Sequence, residues 1–218
     1  MSLTGKVVAE FLGTAFLLIV VVGSGIMAES LAGGNDAVAL LANSLATGAG
    51  LFVLIQCLGP LSGAHLNPAV SLIERLWGRL SSIALLGYWG AQFAGGITGV
   101  LATHAMFNLE LLQISEKSRE GFHLAFSEFI ATFGLLAVIA LAGRKRVEWA
   151  PVTVAAYITG AYWFTSSTSF ANPAVTLARA WTNTFCGIAP SGIWAFFAAQ
   201  VLGALTAFTL LRFNSDSK

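Results

Sequence analysis

Six stretches of about 20 mostly apolar residues, the length that crosses the hydrocarbon of a bilayer as a helix, set the frame for this chain. They run over residues 7–27, 38–58, 82–107, 124–143, 150–168 and 193–211. With 56% hydrophobic and only 10% charged residues, the 218-residue chain carries too little charge to be solvated as a soluble globule. The stretches are therefore read as transmembrane helices of an all-α, multi-pass membrane protein. The first has no basic n-region and no small-residue cleavage site close behind it, which makes it a retained span rather than a removed signal. The fifth is the least sharply bounded, because Pro151 and a Thr/Ser-rich end interrupt its pattern.

Two further apolar stretches, residues 66–76 and 171–181, are too short to span. Each contains the same triplet near its start, Asn67-Pro68-Ala69 in HLNPAVSL and Asn172-Pro173-Ala174 in FANPAVTL. Asparagine suits an N-cap, and proline suits the first helical position, where its missing N–H costs nothing; alanine keeps the junction slim. Each stretch is thus a re-entrant half-helix that returns to the side it left. The residues ahead of the triplets, Gly63, Ala64, His65 and Thr168, Ser169, Phe170, are irregular backbone at membrane depth. Such backbone is tolerated only inside protein or along an aqueous cavity, so these residues are expected to turn carbonyl acceptors toward a polar path. The asparagine amides add donors to it. Two opposed helix N-termini bring about half a positive elementary charge each to the centre, which disfavours cations and proton hopping.

The chain repeats itself in three places. AEFLGTAFLLIV matches SEFIATFGLLAV, setting Glu10 opposite Glu128; HLNPAVSL matches FANPAVTL; and AQFAGGITG matches AAQVLGALT, setting Gln92 and Gly95 opposite Gln200 and Gly203. Each half holds three spans and one half-helix, and an odd number of spans inverts the second half relative to the first. One domain over residues 1–218 results, with repeats at 7–107 and 122–212 and the two triplets meeting at the midplane, where inverted repeats build transport paths. Lys6, Arg75, Arg79, Arg144, Lys145, Arg146, Arg212 and Lys218 fall on one side, and Lys117, Arg119 and Arg179 on the other. Because basic residues are retained in the cytoplasm, both termini are expected there.

Other chemistries find little support. The net charge of +1 and the absence of any basic run longer than residues 144–146 give no reason to expect a nucleic-acid partner. Cys57 and Cys186 are far apart and outside any CxxC pair, and His104 and His123 lack acidic or thiol partners at ligand spacing, so no metal or cofactor is expected. No HExxH, GxSxG or phosphate-binding glycine loop is present, and the serines between 166 and 169 have no histidine–acid partner, which argues against an enzyme. An ion-coupled secondary transporter is the main alternative to a channel. It would need midplane acids, and only Glu10 and Glu128 are available.

The paired triplets, the run SGAHLNPAV, the two repeated glutamates and the glycines of spans three and six together resemble the aquaporins, the major intrinsic protein family, from Glu10 to the end of span six. The resemblance implies six tilted helices with two half-helices, one pore per subunit, a homotetramer in a bacterial inner membrane, and passage of water and small neutral solutes. It implies that Glu10 and Glu128 are structural, each bonding the backbone of a re-entrant loop, and that His65 is a hydrogen-bonded loop residue by the cytoplasmic mouth. Counting from the triplets puts the family's outer constriction on Thr47, Gly160, Ser169 and Val175.

The family's usual arginine is replaced by Val175, so a fixed charge and several donors are missing there. With three small residues beside it, the opening is expected to be wide and to suit glycerol, urea, or metalloid hydroxides and methylated arsenicals. Family members similar in lacking the arginine are linked to arsenic resistance. Arg179, one turn beyond Val175 and on a similar face, offers partial compensation as one reading; the favoured expectation is that it faces outward onto loop carbonyls or solvent.

Overall fold

The computed structural model describes residues 1–145 and 147–213. Of the basic residues counted above, Arg146 and Lys218 lie outside these residues, as do the side chains of Arg144 and Lys145. Helix α1, Leu3–Leu31, starts where Ser2 accepts the Gly5 N–H at 3.2 Å, and α2, Asp36–Ser62, starts on Asn35 and stops at Gly63 with φ 91°. The first half-helix, α3, is Pro68–Leu76, followed by α4, Ser82–Met106, capped by Ser81. Helix α5, Phe122–Lys145, leads through a 3₁₀ turn, Val147–Trp149, into α6, Ala150–Phe164. The second half-helix, α7, is Pro173–Ala178; a 3₁₀ turn, Pro190–Gly192, then opens α8, Ile193–Phe213.

The surface is inside-out relative to a soluble protein. Ile83, Leu86 and Trp194 are 74%, 67% and 75% exposed, whereas Glu10, Gln92, Glu128 and Gln200 are 0% exposed, so lipid faces the outside and the polar chemistry is central. Four segments, Leu3–Leu31, Asp36–Ser62, Phe122–Ala142 and Pro190–Arg212, are long and apolar enough to cross a membrane by length and composition alone. Helix α4 has the length, at 25 residues, but its glycines and Gln92 lower its hydropathy.

Helix α6 has 15 residues and ends at Phe164, four short of the boundary expected from sequence. The reason is the hydroxyl-rich run after it. The Thr165 hydroxyl donates to the Ala161 carbonyl at 2.6 Å, and Ser167 Oγ accepts the Ser169 N–H at 3.2 Å, competing with the helix for its backbone partners.

Helix α1 packs on α4 and α2, α5 packs on α8 and α6, and α2 against α6 joins the halves. The closest crossings use matched glycines. A Cβ on Gly95 would overlap the Phe11 carbonyl oxygen, and one on Gly203 the Phe129 carbonyl oxygen, so α4 meets α1, and α8 meets α5, backbone to backbone. Both half-helices rest against α4 and α8, which brings their N-termini to the centre of the bundle.

Candidate functional site

Each half-helix is launched by its own triplet. Asn67 and Asn172 are extended N-caps, with φ −156° and −159°; Asn67 Oδ1 accepts the Ala69 N–H, and Asn172 Oδ1 accepts the Ala174 N–H, each at 2.9 Å. Pro68 and Pro173 take the first helical position. The amide ends then cross between the halves. Asn67 Nδ2 donates to the Ala171 carbonyl and Asn172 Nδ2 to the Leu66 carbonyl, both at 2.8 Å. Each NH₂ has a second N–H to offer to the occupant of a cavity of about 140 Å³ that both asparagines line.

The backbone ahead of each asparagine is held in an unusual conformation. At the positions four, three and one before it, φ is positive: 91°, 47° and 49° at Gly63, Ala64 and Leu66, and 63°, 48° and 47° at Thr168, Ser169 and Ala171. Side-chain-bearing residues in the left-handed region cost roughly 1–3 kcal/mol each and persist only where neighbours impose them. The two glutamates do so. Glu10 accepts from His65 N at 2.9 Å, Leu66 N at 2.7 Å, the Ser62 hydroxyl at 2.7 Å and Gln92 Nε2 at 2.8 Å. Glu128 accepts from Phe170 N and Ala171 N at 2.8 Å and from Gln200 Nε2 at 2.6 Å. The same glutamines tie the half-helices in, Gln92 donating to Ser71 Oγ at 2.9 Å and Gln200 to Thr176 Oγ1 at 2.8 Å.

With the N–H groups thus turned to the carboxylates, the carbonyls are left over. Among the described residues, those of Gly63, Ala64, His65, Thr168, Ser169 and Phe170 accept no hydrogen bond. Gly63, Ala64, His65, Ser169 and Phe170 also line the cavity, whose remaining wall is largely Leu, Ile and Val. Such a site offers a short row of acceptors and two amide donors on a largely apolar surface, which suits a file of small hydrogen-bonding molecules. His65 is part of that wall, its Nδ1 3.0 Å from Ser71 Oγ and its ring edge-on to Tyr88.

Of the four residues counted to the outer constriction, Thr47, Ser169 and Val175 line the cavity and are buried. Ser169 Oγ is buried with no partner, so it too is available to an occupant. Gly160 is a miscount: it is exposed and absent from the lining; Thr168, half-buried, is absent from the lining too. The face of α6 that turns inward carries Ala150, Val154, Ile158 and Tyr162, an i, i+4 stripe. Two residues along a helix is about 200° of rotation, so the two-residue error exchanged the inward face for the outer one. Tyr162, 4% exposed, stands where the small residue was expected and sets its hydroxyl 3.2 Å from Thr47 Oγ1, which narrows an opening expected to be wide.

Arg179 has the loop-carbonyl partner expected of it but not the outward direction. It is 2% exposed and lines the cavity, with Nε donating to the Cys186 carbonyl and the guanidinium 3.4 Å from the Phe170 ring centroid. It does not face outward. The 179–189 segment is stitched to the loop after α4: Ser115 N donates to Ala180 O at 2.9 Å, Ala189 N to Lys117 O at 2.8 Å, and buried His104 bridges Leu111 O and Thr182 Oγ1. Arg119, on that loop, donates to the carbonyls of Gly187 at 2.9 Å and Ser167 at 3.2 Å. Burial, with the neighbouring Arg179 charge adding to it, lowers Arg119 to about 10, so it is charged at neutral pH. Sequence reasoning missed Tyr162 and Arg119. The four-residue stripe on α6 was the signal for the first; none marked the second.

Residues 1–164 match the family model described as major intrinsic protein. The chain is 53% identical to "Aquaglyceroporin AqpS" of Rhizobium meliloti (strain 1021) over 97% of its own length and 90% of that protein. It is 32% identical to "Aquaporin NIP2-1" of Zea mays over 96% of its length and 72% of the relative. Its fold is similar to that of the aquaglyceroporin from Plasmodium falciparum, with a TM-score of 0.76, 20% identity and 95% of each chain covered.

Proposed function

The chain belongs to the major intrinsic protein family, and on that footing we propose that its central cavity is the conducting path of a passive transmembrane channel for water and small uncharged solutes. The protein is a multi-pass membrane channel and not an enzyme. The observation that carries the reading is the reciprocal pair of asparagine bonds, Asn67 to Ala171 and Asn172 to Leu66, set in an apolar wall beside unpaired carbonyls. A neutral solute exchanges its water shell for these donors and acceptors, while a cation meets two positive helix ends. Both carboxylates are consumed in holding the loops, which leaves no free midplane acid among the described residues to couple flux to an ion.

Thr47, Tyr162, Ser169 and Val175 form the outer constriction in this reading, and Glu10 and Glu128 are structural. Within the neutral class, glycerol, urea, undissociated metalloid hydroxides and methylated arsenicals are the assigned solutes, because Val175 sets a short apolar side chain where the family usually has arginine. The aquaglyceroporin name of the 53%-identical relative supports the glycerol assignment. We assign two inverted repeats within one domain, a homotetramer with one pore per subunit, an inner-membrane location and cytoplasmic termini; the excess of Lys and Arg on one side supports the last.

Stopped-flow light scattering on proteoliposomes, with osmotic gradients of sucrose, glycerol, urea and arsenite, is the test. Linear, gradient-driven flux of water and at least one of the three solutes is expected. Saturable flux that needs an H⁺ or Na⁺ gradient would overturn the channel reading.

A further inference from the structure

The cavity carries a fixed charge that the valine at position 175 does not explain. Arg179 lines it at 2% exposure, and its hydrogen bonding to protein is through Nε to the Cys186 carbonyl; among the described residues its two Nη groups have no hydrogen-bond partner. Its guanidinium lies 3.4 Å from the Phe170 ring centroid, and that of Arg119 lies 5.1 Å from the same centroid. Among the described residues neither arginine is in an ion pair; the ion pair present there is Arg79–Glu74, at the other end of the bundle. Two cations are thus gathered at one ring, held by carbonyls rather than neutralised by carboxylates.

Resting on the channel reading above, we propose that Arg179, backed by Arg119 across Phe170, is the specificity-determining charge of the outer constriction. It restores, one helical turn beyond Val175, the cation rejection that the valine removes, and it offers its Nη donors to the acceptor oxygens of passing neutral solutes. The placement follows from local geometry. Residues four apart on a helix share a face, so Arg179 reaches the same wall as Val175 from one turn further out. The aromatic face of Phe170 favours the cation and fixes its plane. The Cys186 carbonyl, itself positioned by the stitched outer loops, fixes its reach. A planar five-donor group suits this role because one edge can be anchored while the other remains open.

The experiment compares wild type with Arg179→Gln, Arg179→Lys and Arg119→Gln in proteoliposomes and planar bilayers. Glutamine keeps an N–H for the Cys186 carbonyl and removes the charge; lysine keeps the charge. The readout is Na⁺ conductance divided by water permeability, with glycerol flux measured alongside and size-exclusion profiles checking that each variant folds. Arg179→Gln is expected to raise the ratio by roughly tenfold or more, since one unit charge at a few ångströms dominates a cation's energy even at an effective dielectric of about 20. Arg179→Lys is expected to keep it low, and Arg119→Gln to raise it less. An unchanged ratio in folded Arg179→Gln, with glycerol still passing, overturns the proposal and leaves the channel reading standing. Failure of wild type to pass water or any neutral solute removes the channel reading itself. Should Arg179→Gln fail to fold, an unchanged ratio in Arg119→Gln overturns the pair.

Discussion

Replacing Glu128 by glutamine separates a structural acid from a proton relay. The carboxylate accepts the Phe170 and Ala171 N–H groups at 2.8 Å and Gln200 Nε2 at 2.6 Å, using both oxygens. A glutamine has one oxygen, so its NH₂ must face a donor. If the amide is oriented to keep Ala171 and Gln200, Phe170 N–H is left buried against another N–H. Hydrogen bonds to a charged group contribute about 1.5–3 kcal/mol, and an unsatisfied buried donor costs about 1–3 kcal/mol. The two figures overlap, and relief of the carboxylate's desolvation offsets part of them. The expected net destabilisation is about 2–4 kcal/mol.

The loss falls on a loop in which Thr168, Ser169 and Ala171 are all at positive φ, so loop order is lost before helix packing. Reversible unfolding in mixed detergent micelles gives the free energy, and pH-jump fluorimetry on the same protein in liposomes gives proton flux. A change under about 0.5 kcal/mol, the ordinary surface-substitution range, together with altered proton flux, refutes the structural account and revives the relay. Glu10→Gln is expected to behave likewise, since it removes one acceptor from His65 N, Leu66 N, Ser62 Oγ and Gln92 Nε2.

Tyr162→Ala deletes the aromatic ring opposite Thr47 and is expected to raise glycerol flux several-fold more than water flux; equal increases would mean that the ring does not set the width. Val175→Arg adds bulk and charge to the same wall and is expected to cut glycerol and urea more than water in stopped-flow assays, and identical solute exclusion before and after would refute the constriction assigned here. Gly95→Ala and Gly203→Ala each force a backbone carbonyl away from a helix crossing, at Phe11 and Phe129, and are expected to cost about 1–3 kcal/mol of stability by detergent unfolding. A cost near zero would show that these crossings yield.

What could be read from sequence here is what local chemistry writes. Capping asparagine and N1 proline mark the start of a half-helix because the first orphan N–H groups need a side-chain acceptor within two or three residues. Apolar length marks the spans for the same local reason. Tyr162 was lost because the count to α6 ran backward across residues 165–171, where left-handed backbone replaces the fixed 100° per residue of a helix. Arg179 was misread because its partner is not on its own element: the Cys186 carbonyl and the Phe170 ring reach it from either side of the half-helix. Arg119 belongs to a loop whose course is set by pairing with the 179–189 segment, and no periodicity records that.

The crossed asparagine bonds also impose an order in time. Asn67 and Ala171 are 104 residues apart, and Asn172 and Leu66 are 106 apart. At about 5–20 residues per second of synthesis, the first half-helix waits about 5–20 s for the carbonyl that completes it. Neither half can finish its own centre during biogenesis, so the middle of the pore stays open until the second half is made, and a chain stopped before residue 171 leaves the membrane holding an amide with no native acceptor.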